Sequence, residues 1–306
     1  MKEKVKVCEV GPRDGLQMAH DIMPTELKSR WIAAMAQAGV TEIEVGSFVP
    51  AKLVPQMADT DAIVRSALEQ PGLRVMALVP NLRGAQAAYA AGAHGVGVPV
   101  SVSEGHSRSN TRKGTAEQVE EVARIVEWVR AQERPMAIEP GCATAFGCAI
   151  DGEIALDKVV RTAVALAEAG VDAVALADTV GYGNPAQVRA LVRAVRSEIG
   201  GKLTKLHLHD TMGLGLANAL AGLEEGIRSF DSALAGLGGC PFAPGASGNI
   251  VTDDLVFMLE SMGFDTGIDL DRLIASRELL HEGVPNEPMF GQVSRAGIPK
   301  TYRVQA

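Results

Sequence analysis

Residues 36–45 read AQAGVTEIEV, residues 90–98 read AAGAHGVGV and residues 167–176 read AEAGVDAVAL. Each stretch runs from an apolar helical pattern through an Ala-Gly pair into a short strand-like segment. The glycine of each pair stands where a helix ends in a left-handed residue, a conformation that glycine adopts without steric cost. This repeated transition from helix to strand predicts successive βα units around a parallel sheet.

Eight strand patterns alternate with eight helical patterns along the chain. The strands are predicted at 5–10, 42–46, 74–79, 95–100, 135–139, 173–177, 205–209 and 229–233. The helices are predicted at 25–38, 59–69, 83–92, 116–132, 155–169, 186–199, 214–226 and 251–263. Eight units without a linker favour an α/β fold with one closed (β/α)8 TIM barrel, and a doubly wound open sheet is the alternative.

We expect a single catalytic domain over residues 1–306, with the barrel at about 4–265 and a C-terminal helix and tail at 266–306. From residue 283 onward the chain carries three prolines and no sustained period. Proline removes a backbone donor and interrupts regular structure. The tail is therefore predicted to be an irregular C-terminal extension.

Composition narrows the class of protein. Hydrophobic residues make up 47% and charged residues 22% of the chain, which is typical of a soluble globular protein. The net charge of −8 argues against a nucleic-acid partner, which would require a basic surface. The chain has no apolar run of membrane-spanning length and no targeting pattern at its start, so we expect a cytoplasmic protein with no membrane partner. Its four well-separated cysteines are expected to be free thiols.

Reactive side chains follow the predicted strands, where the βα loops of a barrel form the active-site face. His207 and His209 are two residues apart on a strand and therefore leave it on the same side. With Asp14 from the first strand end, and the Asn249 amide oxygen, they could bind a divalent cation. Mixed imidazole and oxygen ligands favour Mg2+ or Mn2+ over a closed zinc site.

Three further residues suggest chemistry beside that cation. Arg13 lies in a glycine-flanked turn, where its cation could polarise a carbonyl oxygen and stabilise an enolate. Glu44, on an apolar strand, either points into the barrel or pairs with Arg13, because a buried charge needs a partner. Cys240 lies in a glycine-rich loop and suits a general acid that protonates a carbanion.

Other common motifs are weak or missing. Residues 181–186, GYGNPA, match a dinucleotide-binding pattern only formally, because they lie in the sixth unit rather than the first. The sequence contains neither a GxxxxGK[ST] phosphate loop nor a GxSxG elbow. These observations argue against the usual nucleotide hydrolases and serine hydrolases.

Six motifs together resemble the 3-hydroxy-3-methylglutaryl-CoA (HMG-CoA) lyases of the DRE-TIM metallolyase superfamily. They are VGPRDGLQ (10–17), IEVGSFV (43–49), PNLRG (80–84), LADTVG (176–181), HLHDTMG (207–213) and AGLGGCPFAPGASGN (235–249). The likeness runs over about residues 4–265, and the last motif is very specific. It implies a Mg2+- or Mn2+-dependent TIM-barrel lyase that cleaves HMG-CoA to acetyl-CoA and acetoacetate.

The resemblance also implies roles for individual residues. The implied metal ligands are Asp14, His207, His209 and Asn249. The implied catalytic residues are Arg13 on the thioester or enolate oxygen, Cys240 as a mobile thiol, His207 and Asp14, with Glu44 and Asp178 as supporting acids. The implied substrate contacts are Gln17 beside the metal, and Asn81, Arg83, Ser103 and Asn110 in loops that face the acyl-CoA. A homodimer is implied as well.

The implied reaction is a retro-aldol cleavage. A base removes the substrate's hydroxyl proton, the carbon–carbon bond breaks, and Cys240 helps to protonate the acetyl-CoA enolate. The sequence leaves open whether that base is His207, Asp14 or a water molecule on the metal. Because residues 139–149 depart from the family's usual stretch after strand five, the acyl group also stays open. The alternatives are a related 3-hydroxyacyl-CoA such as citramalyl-CoA, or a Claisen-type synthase of the same superfamily.

Overall fold

Eight parallel strands close into a barrel in the computed structural model, which describes residues 2–238 and 248–302. The strands are β1 (Lys6–Glu9), β2 (Glu42–Ser47), β3 (Arg74–Leu78), β4 (Gly95–Ser101), β5 (Ala137–Ala143), β6 (Val174–Asp178), β7 (Leu203–Leu208) and β8 (Ser229–Ser232). They pair in chain order, and β8 pairs with β1 to complete the ring. The predicted TIM barrel is confirmed, and the open-sheet alternative is excluded.

Helices separate successive strands and surround the barrel. They are α1 (Thr25–Gln37), α2 (Thr60–Ala67), α3 (Leu82–Ala91), α4 (Glu104–Thr111), α5 (Thr115–Arg130), α6 (Leu156–Glu168), α7 (Pro185–Ile199), α8 (Gly215–Glu224), α9 (Thr252–Ser261), α10 (Leu270–Ala275), α11 (Arg277–Gly283) and α12 (Gln292–Ala296). The helix-to-strand turns contain Gly39, Gly92 and Gly170 with φ of 103°, 100° and 88°. These are the left-handed glycines that the repeated Ala-Gly pairs predict.

Two elements differ from the sequence-based prediction. Strand β5 was predicted to end at Glu139 but continues to Ala143, where Pro140 and Gly141, two poor strand formers, pair with β4. Helix α4 was not predicted, because its polar sequence EGHSRSNT has no apolar period. Its start is set by Ser103, whose hydroxyl oxygen accepts a hydrogen bond from the His106 backbone N–H at 3.1 Å.

The C-terminal extension is more regular than its sequence suggests. Helix α12 lies within the tail, and the Asp254 carboxylate accepts hydrogen bonds from the backbone N–H groups of Gln292 and Val293 at 2.8 Å. Arg277 pairs with the buried Asp253 at 3.0 Å and donates to the Phe290 carbonyl at 2.6 Å. Because the carboxylates that hold the tail belong to α9, the local sequence of the tail does not reveal this helix.

The two faces of each strand have different environments. On β2 and β7, Ile43, Leu206 and Leu208 are buried between the strands and the outer helices. The alternate residues of the same strands, including Glu42 and Lys205, line the barrel interior. The barrel therefore has an apolar outer core and a charged interior.

Three of the four cysteines lie in the described part of the chain. Cys8, Cys142 and Cys148 are buried free thiols, whereas Cys240 lies outside the described residues. Every helix within residues 2–238 and 248–302 is too short or too polar to cross a bilayer.

Glu9, at the end of β1, is a fully buried carboxylate that joins three segments. It accepts hydrogen bonds from the Gly11 N–H at 2.8 Å, the Leu234 N–H at 3.0 Å and the Thr252 hydroxyl at 2.6 Å. Burial raises the pKa of Glu9 from its ordinary value of 4.5 to about 7, although these three hydrogen bonds favour the charged form. Glu9 thus holds the first βα turn against the segment between β8 and α9.

We expect Glu9 to make stability depend on pH. Between pH 4.5 and about 7 the folded chain keeps a proton on Glu9 that the unfolded chain has lost, so stability falls as pH rises through this window. Relative to Glu9→Gln, the wild-type free energy of unfolding should decrease by about 3 kcal/mol from pH 5 to pH 8. Denaturant unfolding of both proteins measures this, and a difference that stays constant with pH would contradict the assignment.

Candidate metal centre

Strand β7 supplies two imidazoles that converge on one point. His207 lies on the strand and His209 follows its last residue, so both side chains project into the barrel mouth. Their Nε2 atoms are 3.1 Å apart. Neutral imidazole nitrogens that face each other at this distance are suited to a shared cation, because each can present a lone pair to it.

Asp14 reaches the same point from the other end of the chain. It lies in a π-helical turn, Gly11–Gly15, after β1, in which the Val10 carbonyl accepts from the Asp14 N–H at 2.7 Å. Its Oδ2 atom is 3.4 Å from His209 Nε2 and 3.8 Å from His207 Nε2. Within the described ranges, these three side chains form the one group of His, Cys, Asp or Glu residues whose ligand atoms all lie within 4.8 Å of one another.

Asn249 adds an amide beside this group. Its Nδ2 donates to Asp14 Oδ2 at 2.7 Å and to the Leu237 carbonyl at 3.0 Å, whereas its buried Oδ1 has no hydrogen-bond partner among the described residues. Gly238, at φ 102°, allows this approach, because a Cβ there would lie 2.8 Å from Asn249 Nδ2.

These donors fit a hard divalent cation. Two imidazole nitrogens, a carboxylate and a free amide oxygen suit an octahedral ion such as Mg2+ or Mn2+, while a structural zinc site would use four closed ligands that are often thiolates. The unpartnered Asn249 Oδ1 is the observation that favours its inclusion in the ligand set.

Electrostatics keeps the carboxylate of Asp14 charged. Burial acts to raise the pKa of Asp14, but the neighbouring Arg13 guanidinium and the two imidazoles outweigh it and hold that pKa well below its ordinary value. A carboxylate that stays ionised is ready to bind a metal without first losing a proton.

Arg13 and Glu44 form an ion pair next to Asp14. The Arg13 Nε donates to Glu44 Oε2, and its Nη1 donates to Asp14 Oδ1. Both Arg13 and Glu44 line the cavity. The structure therefore combines the two placements that the sequence offered for Glu44, because it points into the barrel and also pairs with Arg13.

A cavity of about 530 Å3 opens around the candidate metal ligands. Gln17, Asn81 and Asn110 line it, and Asn81 also caps α3 by accepting from the Gly84 N–H at 3.0 Å. The Gln17 Oε1 atom is buried without a hydrogen-bond partner in the described part of the chain. These three predicted substrate contacts thus lie where a bound molecule could touch them.

Three other predicted residues have different surroundings. Arg83 is exposed on α3 and does not line the cavity. Ser103 is fully buried, and its hydroxyl donates to Asp151 at 2.7 Å while it caps α4. Asp178 is also fully buried, where it accepts from the Tyr182 and Gly183 N–H groups at 3.0 Å. The geometry of Asp178 and Ser103 is that of residues that hold loops in place.

The structure also reveals charges inside the barrel that the sequence analysis missed. Asp231 Oδ2 lies 3.2 Å from His207 Nδ1, and Lys205 lies two residues before His207 on β7. Glu42 likewise lies two residues before Glu44 on β2. A search for charges at period two on the strands that carry the site residues would have found Lys205 and Glu42.

The chain is similar to known proteins over nearly its whole length. The HMGL-like family model matches residues 4–280. The chain is 39% identical over 298 residues to the cytoplasmic 3-hydroxy-3-methylglutaryl-CoA lyase of Rattus norvegicus, an alignment that covers 97% of this chain and 86% of that protein. It is 40% identical over 305 residues to the (R)-citramalyl-CoA lyase of Chloroflexus aurantiacus, covering 96% and 95%.

A solved structure gives the same result for the fold. The HMG-CoA lyase from Acinetobacter baumannii in complex with coenzyme A and 3-methylmalate superposes with a TM-score of 0.91 at 38% identity. The match covers 98% of this chain and 97% of that chain.

We expect Asp14→Asn to weaken Mn2+ binding far more than Asp210→Asn. Asp14 faces the two imidazoles, whereas Asp210, the residue after His209, accepts from the Gly215 N–H at 2.7 Å at the start of α8. Loss of a direct ligand should cost more than the roughly 10- to 100-fold that loss of an outer partner costs. Isothermal titration with Mn2+ measures both affinities, and equal effects would show that Asp14 is not a ligand.

Proposed function

The chain belongs to the HMGL-like family, and from that membership we propose that it is a carbon–carbon lyase that cleaves HMG-CoA to acetyl-CoA and acetoacetate. The observation that carries the proposal is the convergence of Asp14, His207 and His209 at the mouth of the barrel. Many folds host several chemistries, so the site supports the proposed reaction more strongly than the barrel does.

We infer that Asp14, His207, His209 and Asn249 hold a divalent cation, either Mg2+ or Mn2+. Such a cation would supply Lewis-acid polarisation of the substrate's tertiary hydroxyl and a carboxylate oxygen. The chain's own residues fix the position of this site, because Asn249 Nδ2 donates a hydrogen bond to Asp14 Oδ2 at 2.7 Å. Gln17 lines the same cavity and is proposed to contact the bound substrate; its buried Oε1 has no hydrogen-bond partner among the described residues.

Arg13 is the residue proposed to stabilise the developing enolate. Its guanidinium lines the cavity and is held by Glu44 and Asp14, so its orientation is set before substrate binds. A preorganised cation that faces the thioester oxygen stabilises negative charge that appears as the bond breaks. Glu44 thereby acts as a supporting acid that orients Arg13.

The proton steps involve a base and an acid. A base takes the C3 hydroxyl proton, the C2–C3 bond breaks, and its electron pair becomes the acetyl-CoA enolate. Cys240 is proposed to donate its thiol proton to the enolate carbon, and the proton held by the base then restores the thiol. Asp178, through its bonds to Tyr182 and Gly183, is proposed to hold the loop after β6 beside this chemistry.

The acyl-CoA is proposed to enter beside Asn81, which caps α3, and Asn110, which lies in the last turn of α4 rather than in a loop. Both side chains line the cavity, as does Lys113, which could meet a phosphate after exchanging its ion pair with Glu121 at 2.8 Å. A substrate role is less well supported for Arg83, which is exposed on α3, and for Ser103, which is fully buried.

A second candidate is a lyase for citramalyl-CoA. The Chloroflexus aurantiacus relative that carries this name is 40% identical, and the β5 segment beside the cavity departs from the family's usual sequence. Both substrates carry a tertiary hydroxyl next to the bond that breaks, so the same residues could serve either. A cytoplasmic location and a homodimer stay predictions from sequence.

We expect the purified chain to release acetyl-CoA from HMG-CoA in a metal-dependent manner. EDTA should abolish cleavage and added Mg2+ or Mn2+ should restore it, because the proposed site needs a divalent cation. A panel that includes citramalyl-CoA, with acetyl-CoA as the detected product, separates the two candidates. Turnover that persists in EDTA would refute the mechanism, and cleavage of citramalyl-CoA alone would favour the second candidate.

Replacement of Cys240 by Ser should lower kcat by about 100-fold or more, because a hydroxyl is a far weaker acid than a thiol and general acid catalysis contributes roughly 10²- to 10⁴-fold. Cys148→Ser is the matched control. Cys148 is buried, its Sγ lies 3.1 Å from Ser103 Oγ, and it accepts a hydrogen bond from the Ile150 N–H at 3.3 Å, contacts that a serine hydroxyl could also make. Full activity of Cys240→Ser would remove the proposed acid role.

A further inference from the structure

The barrel interior below the candidate metal centre contains a cluster of alternating charges, here called the interior cluster. Its members are Lys6, Glu42, Arg74, Glu139, Lys205 and Asp231. Glu42, only 1% exposed, contacts Lys6 at 2.7 Å, Arg74 at 2.6 Å and Lys205 at 2.8 Å. Arg74 also pairs with Glu139 at 2.6 Å. Three cations and three carboxylates therefore balance one another in this cluster, in which Arg74 and Lys6 are partly exposed to solvent.

Lys205 is the member of the cluster that lies on the same strand as His207. It precedes His207 by two residues on β7 and points to the same side of the strand. Its neighbour on β6 is Ala175, which in turn pairs with Gly141 on β5. A Cβ added to Gly141 would meet only the Ala175 Cβ, at 4.0 Å. These small residues leave room for the lysine side chain.

Asp231 on β8 connects Lys205 to His207. Its Oδ1 lies 3.2 Å from Lys205 Nζ, and its Oδ2 lies 3.2 Å from His207 Nδ1. Oδ1 is buried and has no hydrogen-bond partner among the described residues, so its close contact there is the ion pair with Lys205. One carboxylate thus has one oxygen held by a cation and the other directed at the imidazole.

This arrangement determines which nitrogen of His207 faces the site. When Nδ1 donates its proton to Asp231, the Nε2 lone pair is directed at Asp14 and His209, 3.8 and 3.1 Å away. A carboxylate behind a metal-binding histidine sets the tautomer and ring orientation. If the Asp231 side chain could rotate freely, it would fix neither the tautomer nor the ring orientation of His207.

We propose that Lys205 is a positioning residue that acts through Asp231 to orient His207 for metal binding. The inference rests on the metal site of the proposed function. Lys205 forms no ion pair with Asp14 and no hydrogen bond with His207 or His209. Its effect on these candidate ligands passes through the Asp231 carboxylate. The interior cluster holds Lys205 in turn, because Glu42 at 2.8 Å fixes its other side.

A purely structural role for Lys205 makes a different prediction. A buried ion pair that only balances charge would affect stability and leave metal affinity unchanged. Lys6 is the matched control, because it pairs with the same Glu42 at 2.7 Å but has no contact with Asp231. The two lysines share one partner but differ in their connection to the site and in exposure, since the Lys6 side chain is 39% exposed and that of Lys205 13%.

The test is Mn2+ titration of the full chain by calorimetry, with thermal unfolding recorded in parallel. Lys205→Met should weaken Mn2+ binding by about 10-fold, at the lower end of outer-partner effects, while Lys6→Met leaves it within about 2-fold of wild type. Equal affinities for both variants, whether both fall or neither does, would overturn the inference. Failure of the wild-type chain to bind Mn2+ would instead reject the metal site itself.

Further variants complete the test. If Lys205→Met does not fold, Glu42→Gln with Lys205→Met restores charge balance in the cluster, and Glu42→Gln alone is its control. In an Asp231→Asn background, Lys205→Met should cause no further loss of Mn2+ affinity, because its path to His207 is already broken. An additional 10-fold loss there would show that Lys205 acts by another route and would overturn the inference.

Discussion

Two imidazole nitrogens held 3.1 Å apart and facing one carboxylate are the arrangement on which the rest of this site depends. When both Nε2 atoms are unprotonated, they and the charged Asp14 all offer lone pairs to the same space, and the group is poorly satisfied by its own hydrogen bonds. A shared divalent cation resolves that excess of acceptors. The parallel barrel makes the arrangement possible, since β1 and β7 both end at the same rim.

The barrel interior supports the rim rather than only filling space. In many TIM barrels branched apolar residues pack this region in layers, but here charges and small residues occupy it. Glu42 and Lys205 lie below the site, and Gly141 and Ala175 leave room beside them. The interior cluster therefore links the structural centre of the barrel to the histidine that faces the substrate cavity.

The alternation of strand and helix patterns along the chain allowed the barrel and the core of the candidate metal site to be predicted from sequence. The eight strands follow from short apolar runs, and the convergence of Asp14 with His207 and His209 follows from their positions at strand ends. What the sequence could not reveal depends on partners distant along the chain. Asp254 organises the tail helix, and Pro140 lies within β5 only because β4 pairs with it. The link from Lys205 to Asp231 likewise needs two strands to be adjacent.

The most direct test of this account is the position of a bound metal. Crystals grown with Mn2+ and measured for anomalous scattering should show one strong peak within bonding distance of Asp14, His207 and His209, with the Asn249 amide oxygen turned toward it. A chain that cleaves its acyl-CoA substrate while Mn2+ binds elsewhere, or not at all, would contradict the account.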